Sequence, residues 1–114
     1  MGVDYYVGAG GWGYFGFGGD RLAAYARRFR FVEVNATFYK VPQLSAVKRW
    51  RREVKEDFVF TVKCNRSITH DTPFVLNEQN RAVMGEMQQV CDALKAPFLV
   101  LQTPASLAPS DDTL

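Results

Sequence analysis

The sequence predicts an α/β fold made of parallel β/α units of TIM-barrel type, about four strands and three helices, and three observations predict it. A β-forming run followed by an amphipathic helical pattern recurs three times and ends on a fourth such run. Strands separated by helical connections run parallel, because parallel neighbours need a long crossover. Finally, one parity of each later strand is apolar while the other turns polar toward the C-terminal end.

The elements follow in order. Val3 to Ala9 is a short apolar and aromatic run that enters a glycine cluster, Gly8, Gly10, Gly11 and Gly13, and reads as a strand leading into a loop. Asp20 is placed to cap a helix whose apolar face is Leu22, Tyr25, Ala26 and Phe29. Phe31 to Phe38 is rich in β-formers, and after Pro42 the residues Leu44, Val47, Trp50 and Val54 return at helical spacing. Phe58 to Lys63 is a third strand. Asn77 caps a third helix with Val83, Met84, Met87, Cys91 and Leu94 on its apolar face, and Pro97 opens a fourth strand, Phe98 to Gln102. Residues 105–114 carry Ser110, Asp111 and Asp112, the residue types that start a helix, and read as the start of a truncated fourth helix or a tail.

Parity sorts the strands into faces. Val32 and Val34 oppose Glu33 and Asn35; Phe58, Phe60 and Val62 oppose Val59, Thr61 and Lys63; Leu99 and Leu101 oppose Phe98, Val100 and Gln102. A doubly wound sheet, covered on both faces, reads as almost continuously apolar, whereas a β/α barrel keeps polar groups on its inner face near the strand C-termini. Glu33, Asn35, Thr61, Lys63 and Gln102 fit that inner layer, or else the solvent side of an open sheet.

With 114 residues, 47% hydrophobic and 23% charged, the chain has the makeup of one globular domain, residues 1–114. A net charge of +2 is too small to imply a nucleic-acid or membrane partner by itself. Cys64 and Cys91 form no CxxC pair, and a single histidine supplies no multi-histidine metal site, so neither a metal nor a cofactor is expected. The N-terminus lacks a basic and apolar leader, which places the chain in the cytoplasm.

The candidate site is built from the inner face. Glu33 and Lys63 are the expected pair, because inward charges on neighbouring strands are costly unless matched. They read either as a catalytic acid or base with an electrophile, phosphate anchor or Schiff-base lysine, or as a structural ion pair. Asn35 and Gln102 are placed to orient a substrate hydroxyl or carbonyl. His70, beside Asp71 in a polar loop after the third strand, reads as a proton shuttle or as a surface residue, and Arg66 as a bidentate phosphate ligand. Trp12 and Tyr14, with Phe15 and Phe17, offer rings for stacking on a ligand or for packing over the barrel mouth. Gly8, Gly10 and Gly13 spell GxGxxG after a strand, but no helix follows at once, so an aromatic βα loop is the better reading than a dinucleotide site. Cys64 points away from the interior and reads as structural. The basic run Lys48, Arg49, Arg51, Arg52 and Lys55, with Arg27, Arg28 and Arg30, is either a phosphate grip or a solvated helix face.

Gly10-Gly11-Trp12-Gly13-Tyr14, the segment from Phe31 to Tyr39 reading FVEVNATFY, the later Trp50, Phe58 to Lys63, Ile68-Thr69-His70 and Gln102-Thr103-Pro104 together resemble the YecE-like family, catalogued as domain of unknown function 72. The resemblance spans nearly the whole chain in order and adds Tyr39 to the ligand-contacting residues. It implies a TIM-type barrel about twice this length, of which the present chain matches the N-terminal half. Ala105 stands where the family more often has a second Pro. A half barrel exposes its inner face and two sheet edges, so two alternatives are open: the chain is a truncated gene product, or two copies associate through those edges, as in a four-plus-four barrel.

Three functional expectations follow. The first is a barrel-type, enzyme-like protein binding a small polar, hydroxylated or phosphorylated molecule at the strand C-termini, with isomerisation, aldol-type cleavage or hydrolysis compatible with Glu33 and Lys63. The second is a nucleic-acid-end or repair-type barrel, and the third an inactive half-barrel remnant.

Overall fold

The structure, a computed structural model, describes residues 2–13 and 21–107. Tyr14, Phe15, Phe17, the Asp20 cap and residues 108–114 lie outside them. In chain order the elements are α1 (Arg21–Ala26), β1 (Phe31–Val34), α2 (Ala36–Tyr39), α3 (Leu44–Glu53), β2 (Val59–Lys63), a π-helical turn (Ser67–Asp71), α4 (Glu78–Leu94) and β3 (Leu99–Val100).

The sheet is parallel and its spatial order is the chain order, β1-β2-β3. Val32 aligns with Phe60, Glu33 with Thr61, and Lys63 with Val100, so the parity reading of the faces holds across all three strands. The expected fourth strand contracts to Leu99–Val100, although Phe98 and Val100 both offer carbonyls to β2, at 3.3 Å to the Val62 N–H and 2.8 Å to the Cys64 N–H.

The expected first strand is the main correction to the element list. Val3 to Ala9 forms no continuous strand, and only its end, Ala9 to Gly11, runs parallel beside β1. There the Glu33 N–H donates to the Ala9 carbonyl at 3.2 Å and the Gly11 N–H to the Glu33 carbonyl at 2.9 Å. Val3, Tyr5 and Val7 remain 75%, 77% and 73% exposed, so β-propensity there has no buried surface to act through. A Cβ on Gly8 would overlap the Phe31 carbonyl, so the chain passes closer to β1 than any side chain permits. Tyr25 fastens this crossing: its buried hydroxyl accepts from the Ala9 N–H at 2.7 Å and donates to the Phe31 carbonyl at 2.7 Å.

The core lies on one face of the sheet. Val32, Val34, Phe58, Phe60 and Val62 pack against Leu22 and Tyr25 of α1, Val47 of α3, and Met87, Val90 and Leu94 of α4. Among the described residues these three helices cover a single face of the parallel sheet. The buried positions of α4, Asn80, Met87, Val90 and Leu94, lie along one stripe, and Met84, assigned to that stripe from the sequence, is instead 40% exposed on its flank. Asn77 caps the helix as expected, its side chain accepting from the Asn80 N–H at 2.7 Å. Lys95 ends it in the left-handed region at φ 54°.

Arg51 is turned inward from the basic run. It donates to the carbonyls of Phe58 and Leu94, both at 3.0 Å, and to that of Lys55, with its guanidinium over the Phe60 ring. Burial pulls its pKa below the ordinary guanidinium value, while Glu56 and Asp57 oppose that shift. One arginine therefore ties together the ends of α3 and α4 and the start of β2. No described helix is long and apolar enough to cross a membrane.

Candidate functional site

The site candidates occupy the helix-free face and the two loops that follow β1 and β2. Both loops contain short helical turns that periodicity did not announce. Asn35 opens α2, whose four residues lie directly over the end of β1. The π-helical turn Ser67–Asp71 lies over the end of β2; such turns recur at functional sites because they displace side chains from helical register.

A set of residues not singled out from the sequence joins the two turns. The Thr37 hydroxyl, fully buried, lies within hydrogen-bond reach of the Lys63 carbonyl at 2.7 Å and of the Val34 carbonyl at 3.2 Å. The buried Asn65 amide donates to the Thr37 carbonyl at 3.0 Å, and its oxygen accepts from the Ser67 N–H at 3.1 Å. Asn65 thus clamps the turn after β1 to the turn after β2. Its only sequence signal was a polar residue just past a strand end.

Glu33 and Lys63 do not form the expected ion pair, since no described carboxylate approaches the Lys63 ammonium within 4.0 Å. Strand position alone does not forbid a pair, because long side chains on diagonal neighbours can meet. Glu33 aligns with Thr61, which puts Lys63 one strand over and two residues on, about 8 Å away between Cα atoms. Lys63 leans instead onto α2, its ammonium 4.4 Å from the centroid of Phe38. Glu33 and Asn35 lie on the other side, beside Gly10, where a Cβ would overlap the Asn35 amide nitrogen. The Asn35 side-chain oxygen is buried and has no hydrogen-bond partner.

His70 is not beside its expected carboxylate. Asp71 pairs with Arg66 at 3.1 Å, and the His70 Nδ1 hydrogen-bonds the Thr69 hydroxyl at 2.7 Å. The imidazole meets the Phe38 ring edge-on at 4.9 Å, and the Arg66 guanidinium lies 5.8 Å from the same centroid. Phe38 is therefore the hub on which Lys63, Arg66 and His70 converge. Tyr39 is 73% exposed and packs edge-on against Phe38 at 5.0 Å, at the rim. Gln102 lies two residues past β3 and is exposed.

Trp12 leaves the set. Its indole packs edge-on against Trp50 at 5.2 Å and Phe60 at 6.4 Å, on the helix-covered side, because that apolar surface can bury the ring and the polar face cannot. Tyr14 lies outside the described residues. Cys64 is 1% exposed and burial pushes its thiol pKa up, against a weaker opposing hydrogen bond from the Asn65 backbone, so Lys63 does not activate it. Among the described residues no three His, Cys, Asp or Glu side chains cluster as metal ligands would. An apolar groove of about 780 Å³ lies elsewhere, along Phe74, Met84, Cys91, Phe98 and Leu101.

The family model described as protein of unknown function DUF72 matches residues 6–114. The UPF0759 protein YecE of Escherichia coli K12 is 34% identical over 88 residues, which are 77% of this chain and 26% of that protein, and the same figures hold for its O157:H7 counterpart. A crystal structure of a DUF72 family protein from Enterococcus faecalis V583 superposes with a TM-score of 0.64 at 21% identity, covering 80% of this chain and 38% of that one. A second crystal structure of that protein gives 0.63 at 20% identity, covering 81% and 35%. The chain thus spans about a quarter of the length of the curated relatives it matches. Matched by the family model from residue 6 to residue 114 and a third identical to YecE, this chain belongs to the DUF72 family.

Proposed function

We propose that this chain supplies the first β/α units of a barrel-type, enzyme-like domain that binds a small polar molecule, hydroxylated or phosphorylated, against the helix-free face at the strand C-termini. One observation carries the reading: Glu33 of β1 and Lys63 of its parallel neighbour β2, with Asn35 just past the end of β1, lie on the face that α1, α3 and α4 leave uncovered. In β/α barrels that end of the strands is where ligands bind. Glu33 serves as the proton-transferring carboxylate for a ligand hydroxyl, Asn35 as a neighbouring hydrogen-bonding amide, and Lys63 as the positive charge.

The basic helix surface does not favour a nucleic acid to the same degree. Arg51 is spent on three backbone carbonyls, and Arg49 pairs with Glu53 at 3.6 Å.

The test is native mass spectrometry of the protein against a panel of small polyols, sugars and their phosphates, repeated with Glu33→Gln and Lys63→Met. Retention of a panel member that weakens in either variant supports the reading. Retention unchanged in both variants, or no retention at all, overturns it.

A further inference from the structure

We infer that Lys63, Arg66 and His70, gathered around Phe38, form a subsite for a phosphate dianion, carried by a small molecule or free. This inference rests on the reading that the helix-free face takes a small polar ligand, and it assigns the two ends of that ligand.

The argument starts from charge. Lys63 is partly buried and its ammonium has no described carboxylate within 4.0 Å; its partner is a ring face. A ring face attracts the ammonium without taking up its hydrogen-bonding capacity as a carboxylate would, which leaves the protons directed away from the ring available to an anion. Arg66 spends Nε on Asp71, and its two terminal nitrogens make no hydrogen bond to the described residues. His70 is held by Nδ1 on the Thr69 hydroxyl, so Nε2 is the nitrogen it presents. All three groups lie within 6 Å of a single ring centroid, at 4.4, 5.8 and 4.9 Å. Among the described residues, the carboxylate paired with any of the three is that of Asp71, on Arg66.

Two cations plus a titratable imidazole suit a doubly charged anion better than a single carboxylate, and guanidinium and ammonium are the usual phosphate ligands. The site is also held in place before any ligand arrives. Thr37 is bonded to the Lys63 carbonyl, and Asn65 joins the Phe38-bearing turn to the turn that carries Arg66 and His70. Lys63 and Glu33 therefore act on opposite ends of a ligand: the phosphate lies at Phe38, and the hydroxyl-bearing part points toward Glu33 and Asn35 beside Gly10.

The test uses inorganic phosphate, glycerol 3-phosphate and glycerol, titrated into the intact protein and followed by calorimetry and by the ring-proton signals of His70. These signals need no assignment because the chain has a single histidine. Both phosphates should bind and shift the His70 signals. Lys63→Met and Arg66→Gln should each weaken phosphate binding tenfold or more; Arg66 is exposed, so its replacement leaves the fold intact even if Lys63→Met does not. Tighter binding of glycerol 3-phosphate than of inorganic phosphate identifies an ester as the ligand, and equal binding identifies the free ion. Phosphate binding unchanged in the Arg66→Gln and Lys63→Met proteins overturns the subsite. Glycerol bound as tightly as its phosphate overturns the subsite while leaving the polar-ligand reading in place. If none of the three binds and the polyol panel is also silent, both fail.

Discussion

The Lys63 ammonium lies over the ring of Phe38, 4.4 Å from its centroid, and that contact takes the place of an ion pair with Glu33. Replacing Phe38 by Leu keeps most of the volume and removes the ring face. We expect a stability loss of about 1 kcal/mol in urea denaturation, together with a shift of the His70 ring protons as the neighbouring aromatic disappears. An unmoved His70 spectrum would show that the three groups do not share Phe38 in solution.

Gly10 and Asn35 are coupled by contact. A methyl group at Gly10 displaces the Asn35 amide, so Gly10→Ala should cost about 1–2 kcal/mol, and clearly less in a protein that already carries Asn35→Ala. The double-mutant cycle measured by denaturant melts gives the coupling. Additive losses would mean that the amide does not rest on the glycine.

The Asn65 clamp should be visible as stability. Asn65→Ala leaves a buried carbonyl on Thr37 and the Ser67 N–H without their partner, at about 2 kcal/mol. Asn65→Asp keeps the acceptor for Ser67 but sets a carboxylate against the Thr37 carbonyl, so it should rescue nothing. Equilibrium urea unfolding of the two variants checks both statements.

Much of this was legible in the sequence, and the part that was not has a physical reason. The parity of residues 32–35 and 58–63 sorted the faces correctly, since period-two alternation is local. The partner of Lys63 was missed because parity shows which face a side chain occupies and not which way along that face it leans. α2 and the π-helical turn span four and five residues, too short for periodicity to register. Val3 to Ala9 looked like a strand by composition, but strand formation needs buried surface that those residues do not find.

Arg51 is the residue of the basic run whose loss should unfold most. Arg51→Met strands the carbonyls of Phe58, Leu94 and Lys55, and a loss of about 2–3 kcal/mol is expected by thermal or urea melts. Arg51→Lys should recover little of it, because a single ammonium does not match the spread of the guanidinium fork.

The two thiols set an alkaline limit. Burial raises the pKa of Cys64, and burial with Asp92 and Cys64 nearby raises that of Cys91, so in the folded protein both stay protonated at pH values where the unfolded chain ionises. The unfolded state then binds fewer protons than the folded one, and stability falls as pH climbs above the ordinary thiol pKa, about 8.5. Below that pH the thiols contribute no slope. Urea melts from pH 7 to pH 10 should show the decline, and Cys64→Ala should flatten it.

Since neighbours in the sheet are also neighbours in the chain, each β/α unit can settle onto the one made before it as the polypeptide leaves the ribosome. The clamp from Asn65 to Thr37 and the bond from Thr37 to the Lys63 backbone need only the first two paired strands and their turns. The Phe38 cluster thus draws the direct bonds that join its two turns from the first two β/α units, while α4, through Asn80, and β3, through the Val100 carbonyl, brace the second turn and its strand from the later part of the chain.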